Sequence, residues 1–199
     1  MPISASEVKK LRDMTGAGMM DCKKALTETK GDMEKAVEFL RKKGIASAAK
    51  RSGREVNEGV IMSYIHPGNR LGVLVEINCE TDFVAKTDDF LALAKNIAMQ
   101  IAASNPIAVN REDVPKNLID KEMDIFRTQA KNEGKPEAVI EKIIQGKIDK
   151  YYQEVVLTEQ HFVKDPDKTI RDYLMEVSGK LGENMSIRRF VRFQIGDEN

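Results

Sequence analysis

The hydrophobic period switches from helical to alternating near residue 58 and back near residue 88, and a fold of one class cannot accommodate both. Up to residue 44, apolar residues recur every three or four positions, as one face of a helix requires. Val60, Met62 and Tyr64 then alternate with polar or smaller residues. After the turn His66-Pro67-Gly68-Asn69, the residues Leu71, Val73, Val75 and Ile77 alternate back, which describes a β-hairpin with one apolar face. From Asp88 to about Ser104 the helical period returns, with Phe90, Leu91, Ala94, Ile97, Ala98 and Ile101 on the buried side, until Asn105-Pro106 ends it. The expected fold class is α+β.

The first 44 residues read as a compact module of three short helices that bury their stripes against one another. Ser4-x-x-Glu7 is a capping box, followed by Val8, Leu11 and Met14 before Gly16 stops the run. Met19, Cys22 and Leu26 share a face of the second helix, which ends by Gly31. Asp32 caps the third, whose stripe is Met33, Ala36, Val37 and Leu40. Arg41, Lys42 and Lys43 complement the negative end of its dipole, and Gly44 is expected as the breaker. Residues 45–57 hold no period and read as a linker, helical at most at its start, ahead of a core over 58–199. Within that core, helices over 115–132 and 136–152 are joined at Asn132-Glu133-Gly134-Lys135. Their apolar faces (Ile119, Met123, Phe126 and Ala130; Ile140, Ile144, Ile148 and Tyr152) make an antiparallel helical hairpin with charged outer faces. Thr169 can cap a last helix carrying Ile170, Tyr173, Leu174, Val177 and Leu181. A closing strand then places Ile187, Val191, Phe193 and Ile195 on one face.

Little in the chain suggests bond-making chemistry. The two histidines, His66 and His161, stand in no metal-ligand spacing to each other or to Cys22 and Cys79, and no phosphate-binding loop pattern occurs. No metal site, no cofactor and no catalytic residue is expected. Lys plus Arg and Asp plus Glu are 32 each, so the chain lacks the strong positive field of a nucleic-acid binder. No apolar run approaches the ~18 residues of a membrane span. The opening MPISASEVKK lacks the order of a signal peptide, so a cytoplasmic protein with reduced, buried cysteines is expected.

Two places stand out as candidate binding sites. Thr81-Asp82-Phe83-Val84-Ala85-Lys86 follows the hairpin's second strand, and a large aromatic beside an acid is unusual in such a connection. In one reading Asp82 caps a helix and Phe83 staples back onto the core. In the other, Phe83 is an exposed wedge for a partner. Met19 and Met20 are adjacent, so both cannot face the same three-helix core. At least one should be exposed, and flexible thioethers suit a docking surface.

Cys79-Glu80-Thr81-Asp82-Phe83-Val84-Ala85-Lys86 resembles the signature of the bacterial translation elongation factor Ts family. So does the stretch from Thr15 to Leu26, Thr-Gly-Ala-Gly-Met-Met-Asp-Cys-Lys-Lys-Ala-Leu. Leu157 to Val163 and Asn184 to Phe190 are similar as well, and the likeness runs in order along nearly the whole chain. One departure is Glu80, where some members carry an uncharged Gln; Asp82 and Phe83 are intact.

The resemblance implies an N-terminal module of ubiquitin-associated-like fold, a flexible joint and an α+β core. It also implies a function, guanine-nucleotide exchange on elongation factor Tu, and binding to that partner both with GDP and without nucleotide. Thr81, Asp82, Phe83 and Val84 would press beside the partner's magnesium site, and the N-terminal module would dock on its nucleotide domain. Longer family members look as though they hold two related sheet-bearing halves, whereas this chain has one hairpin and one long closing strand. A lone three-stranded sheet leaves open edges, so a homodimer is the expected working form. Two rival readings stay open here. One is an RNA- or ribosome-associated factor using Arg41, Lys42, Lys43, Lys50, Arg51 and Arg54 as a phosphate strip. The other is an enzyme of unknown type.

Overall fold

A computed structural model describes residues 3–197; residues 1–2 and 198–199, the outer ends of the expected module and core, lie outside them. In chain order the helices and strands are α1 (Ala5–Thr15), α2 (Met19–Glu28), α3 (Met33–Arg51), β1 (Glu58–Ile65), β2 (Leu71–Cys79), α4 (Asp82–Ala85) and α5 (Asp88–Ser104). They continue as α6 (Lys116–Asn132), α7 (Glu137–Val155), β3 (His161–Phe162), β4 (Asp165–Thr169), α8 (Ile170–Leu181) and β5 (Met185–Gln194). The fold is α+β, with β1, β2 and β5 in a three-stranded sheet that has β2 at its centre. The chain gathers into two compact units. The first takes in the chain up to Val60 with Ile77–Leu93 and Asp172–Ser186; the second takes in Ile61–Glu76, Ala94–Arg171 and the chain from Ile187 on.

In the first unit the three N-terminal helices form as their local signals dictate. Glu7 N–H donates to Ser4 Oγ at 3.2 Å and Ser4 N–H donates to Glu7 Oε2 at 2.8 Å, closing the capping box. Gly16 ends α1 at φ +68, and Asp32 caps α3 by accepting the Lys35 N–H at 3.0 Å. Val8, Leu11, Cys22, Ala25, Leu26, Ala36 and Leu40 close into one core. Met14 and Met19 leave the stripes to which their spacing assigns them, and both are exposed.

The expected stop at Gly44 does not occur. α3 runs through it to Arg51, so residues 45–51 of the expected linker are helical. At this glycine α3 and α8 cross, and the demand for a missing side chain falls on Gly179. A Cβ built on Gly179 would lie 2.7 Å from the carbonyl carbon of Gly44, so the backbones meet with no room for a side chain on Gly179. Arg51 Nη2 adds a hydrogen bond to the Ser178 carbonyl at 3.0 Å.

On β2 the alternation holds, and Val73, Val75, Ile77 and Cys79 are buried. On β5 it does not. Ile187 is buried, but Val191, Phe193 and Ile195, expected on the same face, are exposed, and Ile195 lies past the strand's end. Arg188 and Arg189 are both exposed, so the inward-outward alternation slips by one residue between them.

In the second unit α6 and α7 form the expected hairpin around Ala130, Ile140, Ile144 and Ile148, flanked by Ile119, Met123, Phe126 and Tyr152. Arg111 braces its base. Its guanidinium donates to Glu159 Oε2 at 2.7 Å and to Asp149 Oδ1 at 3.0 Å, and lies 4.5 Å from the centre of the Tyr152 ring. The ribbon of β3 and β4 was not expected, because a two-residue strand is too short to display a period.

Candidate functional site

The segment after β2 is a single helical turn on a tightly held root. Thr81 is its N-cap rather than Asp82: Thr81 is extended, and its Oγ1 accepts the Val84 N–H at 3.4 Å. Asp82 is the acid of the first turn. Its carboxylate takes a hydrogen bond from Lys86 Nζ at 2.6 Å, which holds the carboxyl below its ordinary range. Val84 is half-buried, its carbonyl accepting the Thr87 hydroxyl at 2.8 Å, and Ala85 is buried against the body. Phe83 points away from all of this. It is 80% exposed, more than any other large hydrophobic side chain among the described residues. An aromatic left in water at this level is no staple, and the core reading of Phe83 is excluded.

The root of the turn is fixed from a distant part of the chain. Glu183, in the joint between α8 and β5, accepts the backbone N–H of Glu80 at 3.1 Å and of Thr81 at 3.0 Å, both on Oε2. Its Oε1 accepts the Thr81 hydroxyl at 2.6 Å. Asn184 N–H donates to Glu80 Oε1 at 2.6 Å, and Asn184 Nδ2 donates to the carbonyls of Arg54 at 2.7 Å and Ser52 at 3.3 Å. Beneath the turn Cys79 is fully buried. Burial, with the Glu183 charge nearby, pushes its thiol up to about 11. Spacing gives no hint of Glu183 or of its reach. The stretch from Asn184 to Phe190 marks only its neighbourhood.

The second candidate lies at the start of α2. Met19 is 44% and Met20 76% exposed, so both thioethers face solvent. Met14, at 60%, is exposed as well and was missed because its spacing matched the buried stripe. Met14, Ala17 and Gly18 open onto a cleft of about 540 Å³ whose far walls are α3 and α8, with Arg41, Ser47 and Lys180 among its lining. Thr81–Val84 and Met19–Met20 belong to the same unit.

Four of the six side chains in the basic run, Lys42, Lys43, Arg51 and Arg54, have partners within the protein. Lys42 pairs with Glu38 at 2.7 Å, Lys43 with Asp21, and Arg54 with Glu80 at 3.4 Å, while Arg51 is spent on the Ser178 carbonyl. His66 bonds to the Tyr64 hydroxyl at 3.0 Å and His161 to the Pro166 carbonyl at 2.8 Å. Among the described residues no group of His, Cys, Asp and Glu could hold a metal ion, and no helix is long and apolar enough to cross a membrane.

Comparison with known proteins bears on this geometry. A family model described as "Elongation factor TS" matches residues 6–197. The chain is 60% identical to the elongation factor Ts of Moorella thermoacetica over 195 residues, covering 98% of this chain and 96% of the relative. It is 62% identical to that of Desulforamulus reducens, covering 98% and 90% respectively. It is 58% identical to that of Geobacter sulfurreducens, covering 99% and 91%.

Proposed function

The chain belongs to the elongation factor Ts family, and from that membership we propose that it is the guanine-nucleotide exchange factor of elongation factor Tu in translation elongation. It binds the GDP-loaded partner, promotes GDP release, holds the nucleotide-free form and leaves when GTP refills the site. The observation that carries this reading is Phe83: a large aromatic ring exposed on a turn whose root, Glu80–Thr81, is held by three hydrogen bonds to Glu183. Phe83 and Asp82, flanked by Thr81 and Val84, press beside the partner's magnesium and β-phosphate groups. Met19 and Met20 dock the module of residues 1–44, of ubiquitin-associated-like fold, on the nucleotide domain.

No bond is made or broken in this scheme, and the protein needs no cofactor or active-site base. The wedge binds the distorted partner better than the relaxed one, and that difference is the driving force. If the factor weakens GDP by some ratio, GDP weakens the factor by the same ratio. The site of action is the cytoplasm, and no direct contact with nucleic acid is required. The pairing of Lys42, Lys43 and Arg54 with acids supports that part of the reading.

The direct test is release of fluorescent GDP from elongation factor Tu. Catalytic amounts of this protein should accelerate it many-fold, and an unchanged rate would overturn the proposal.

The proposed working form is a homodimer paired through the open sheet. β1 and β5 are its edges, and Ile61 at 70%, Ile65 at 59% and Phe193 at 62% exposure leave apolar side chains on these strands in water, with Leu74 of the central strand exposed as well. Light scattering behind a sizing column at tens of micromolar should give the mass of two chains, since an interface of standard size forms at about micromolar concentration or below. The mass of one chain there would mean that a single core acts alone.

A further inference from the structure

We infer that Glu183 is a positioning residue for the Phe83 wedge, holding the Glu80–Thr81 root so that the ring leaves the body in one fixed direction. The inference rests on the exchange reading given above. A side chain that is 80% exposed has no packing of its own to orient it. Its direction is inherited from the turn that carries it, and that turn is only four residues long, Asp82–Ala85. The frame of the turn is therefore set at its N-terminal end.

At that end one carboxylate takes three donors from two consecutive residues: the Glu80 N–H, the Thr81 N–H and the Thr81 hydroxyl. Hydrogen bonds to a charged acceptor are shorter and stronger than neutral ones, and three from one rigid segment define its orientation as well as its place. The Thr81 hydroxyl donates to Glu183 and accepts from the Val84 N–H, so Glu183 also sets the cap of the turn.

Glu183 is held in its turn. Ser178 Oγ donates to its carbonyl at 2.5 Å, and Gly182, at φ +81, swings the chain out of α8 to bring it there. Its neighbour Asn184 ties the same root, through Glu80, to the carbonyls of Ser52 and Arg54 just beyond α3. The dipeptide Glu183-Asn184 thus joins the wedge to the end of the helix that begins in the N-terminal module. Beyond Ser178, its hydrogen bonds go to Glu80, Thr81, Ser52 and Arg54 and none is to Phe83 or Asp82, so its effect on exchange passes through the backbone of the turn.

The test is a double-mutant cycle in the full chain, with Glu183→Gln, Phe83→Ala and both together. Thermal melting and GDP release from elongation factor Tu are followed as functions of factor concentration. Gln keeps an acceptor oxygen but loses the charge that binds three donors. The maximal release rate should fall about tenfold, while the concentration for half-maximal stimulation stays within about twofold. In the Phe83→Ala background the same change should add nothing, because there is no ring left to aim. Equal fold-losses with and without the ring would overturn the inference, as would an undiminished rate in Glu183→Gln alone. Should Glu183→Gln melt before it can be assayed, Thr81→Val replaces it. That variant keeps the β-branched shape, deletes the hydroxyl donor to Glu183 together with the cap it makes on the Val84 N–H, and enters the same cycle with the same two outcomes. Normal release by Phe83→Ala itself would sink the wedge reading, a result separate from additivity between the two sites.

Discussion

Phe83→Ala is expected to melt where the parent chain melts and to stimulate GDP release about thirtyfold less. The first half follows from exposure. A ring that is 80% in water loses little packing when truncated, and surface substitutions of this kind move stability by no more than about 0.5 kcal/mol. The second half follows from what an exposed aromatic becomes when a partner closes over it. Truncating a buried interface aromatic typically costs about 2 kcal/mol, roughly thirtyfold in the coupled equilibrium. Asp82→Ala should do less alone, because its carboxylate is already engaged by Lys86 and must exchange one partner for another. Melting curves and stopped-flow release on the same preparations check both halves. A sharp loss of stability with normal exchange by the folded fraction would show that the ring serves the fold.

Gly59→Ala is expected to be the most damaging small substitution in the sheet, lowering stability by about 3 kcal/mol. Two independent penalties meet at Gly59. Its φ of +152 is a conformation that side chains rarely adopt, and a Cβ there would lie 2.1 Å from the carbonyl oxygen of Ile77 and 2.8 Å from the Cα of Asn78. Both obstacles are backbone of the central strand, which cannot rotate away as a side-chain tip could. For a chain of this length the melting temperature should fall on the order of 10 °C. Gly53→Ala is the control. A Cβ there meets nothing within 4 Å, and its φ is not in the left-handed region, so the melting temperature should hold or rise slightly. A Gly59→Ala protein that melts with the parent would mean that β1 can shift away from β2 at no cost.

The candidate site was legible in residue type and illegible in arrangement. Thr81, Asp82 and Phe83 stood out because an aromatic beside an acid is rare in a connection, yet two opposite placements of the ring suited the same residues. Met19 and Met20 could be limited to at least one exposed side chain from adjacency alone; both are exposed. Met14, matching the stripe of Val8 and Leu11, carried no mark of its exposure. Glu183 carried no mark at all, because it meets Thr81 from 102 positions away.

What the sequence determined by itself is whatever depends on neighbours within one turn or one pleat. The capping box at Ser4 and Glu7, the left-handed stop at Gly16, the turn after His66 and the alternation of Val73, Val75 and Ile77 all follow from interactions spanning about four residues, and these recur wherever the pattern recurs. Only the tertiary structure decided the rest. Gly44 reads locally as a breaker, yet the helix continues through it to Arg51, and its backbone lies where a side chain on Gly179 would have to go. Val191 and Phe193 read as partners of Ile187, yet face water, and past Arg188 and Arg189 the half-buried positions are Phe190 and Arg192. Phe83 is exposed because the Glu183 carboxylate and the buried Cys79 hold its root and leave the ring beyond the body. At the Phe83 turn the deciding carboxylate stands 102 positions from Thr81, and spacing encodes no information about a neighbour that only folding supplies.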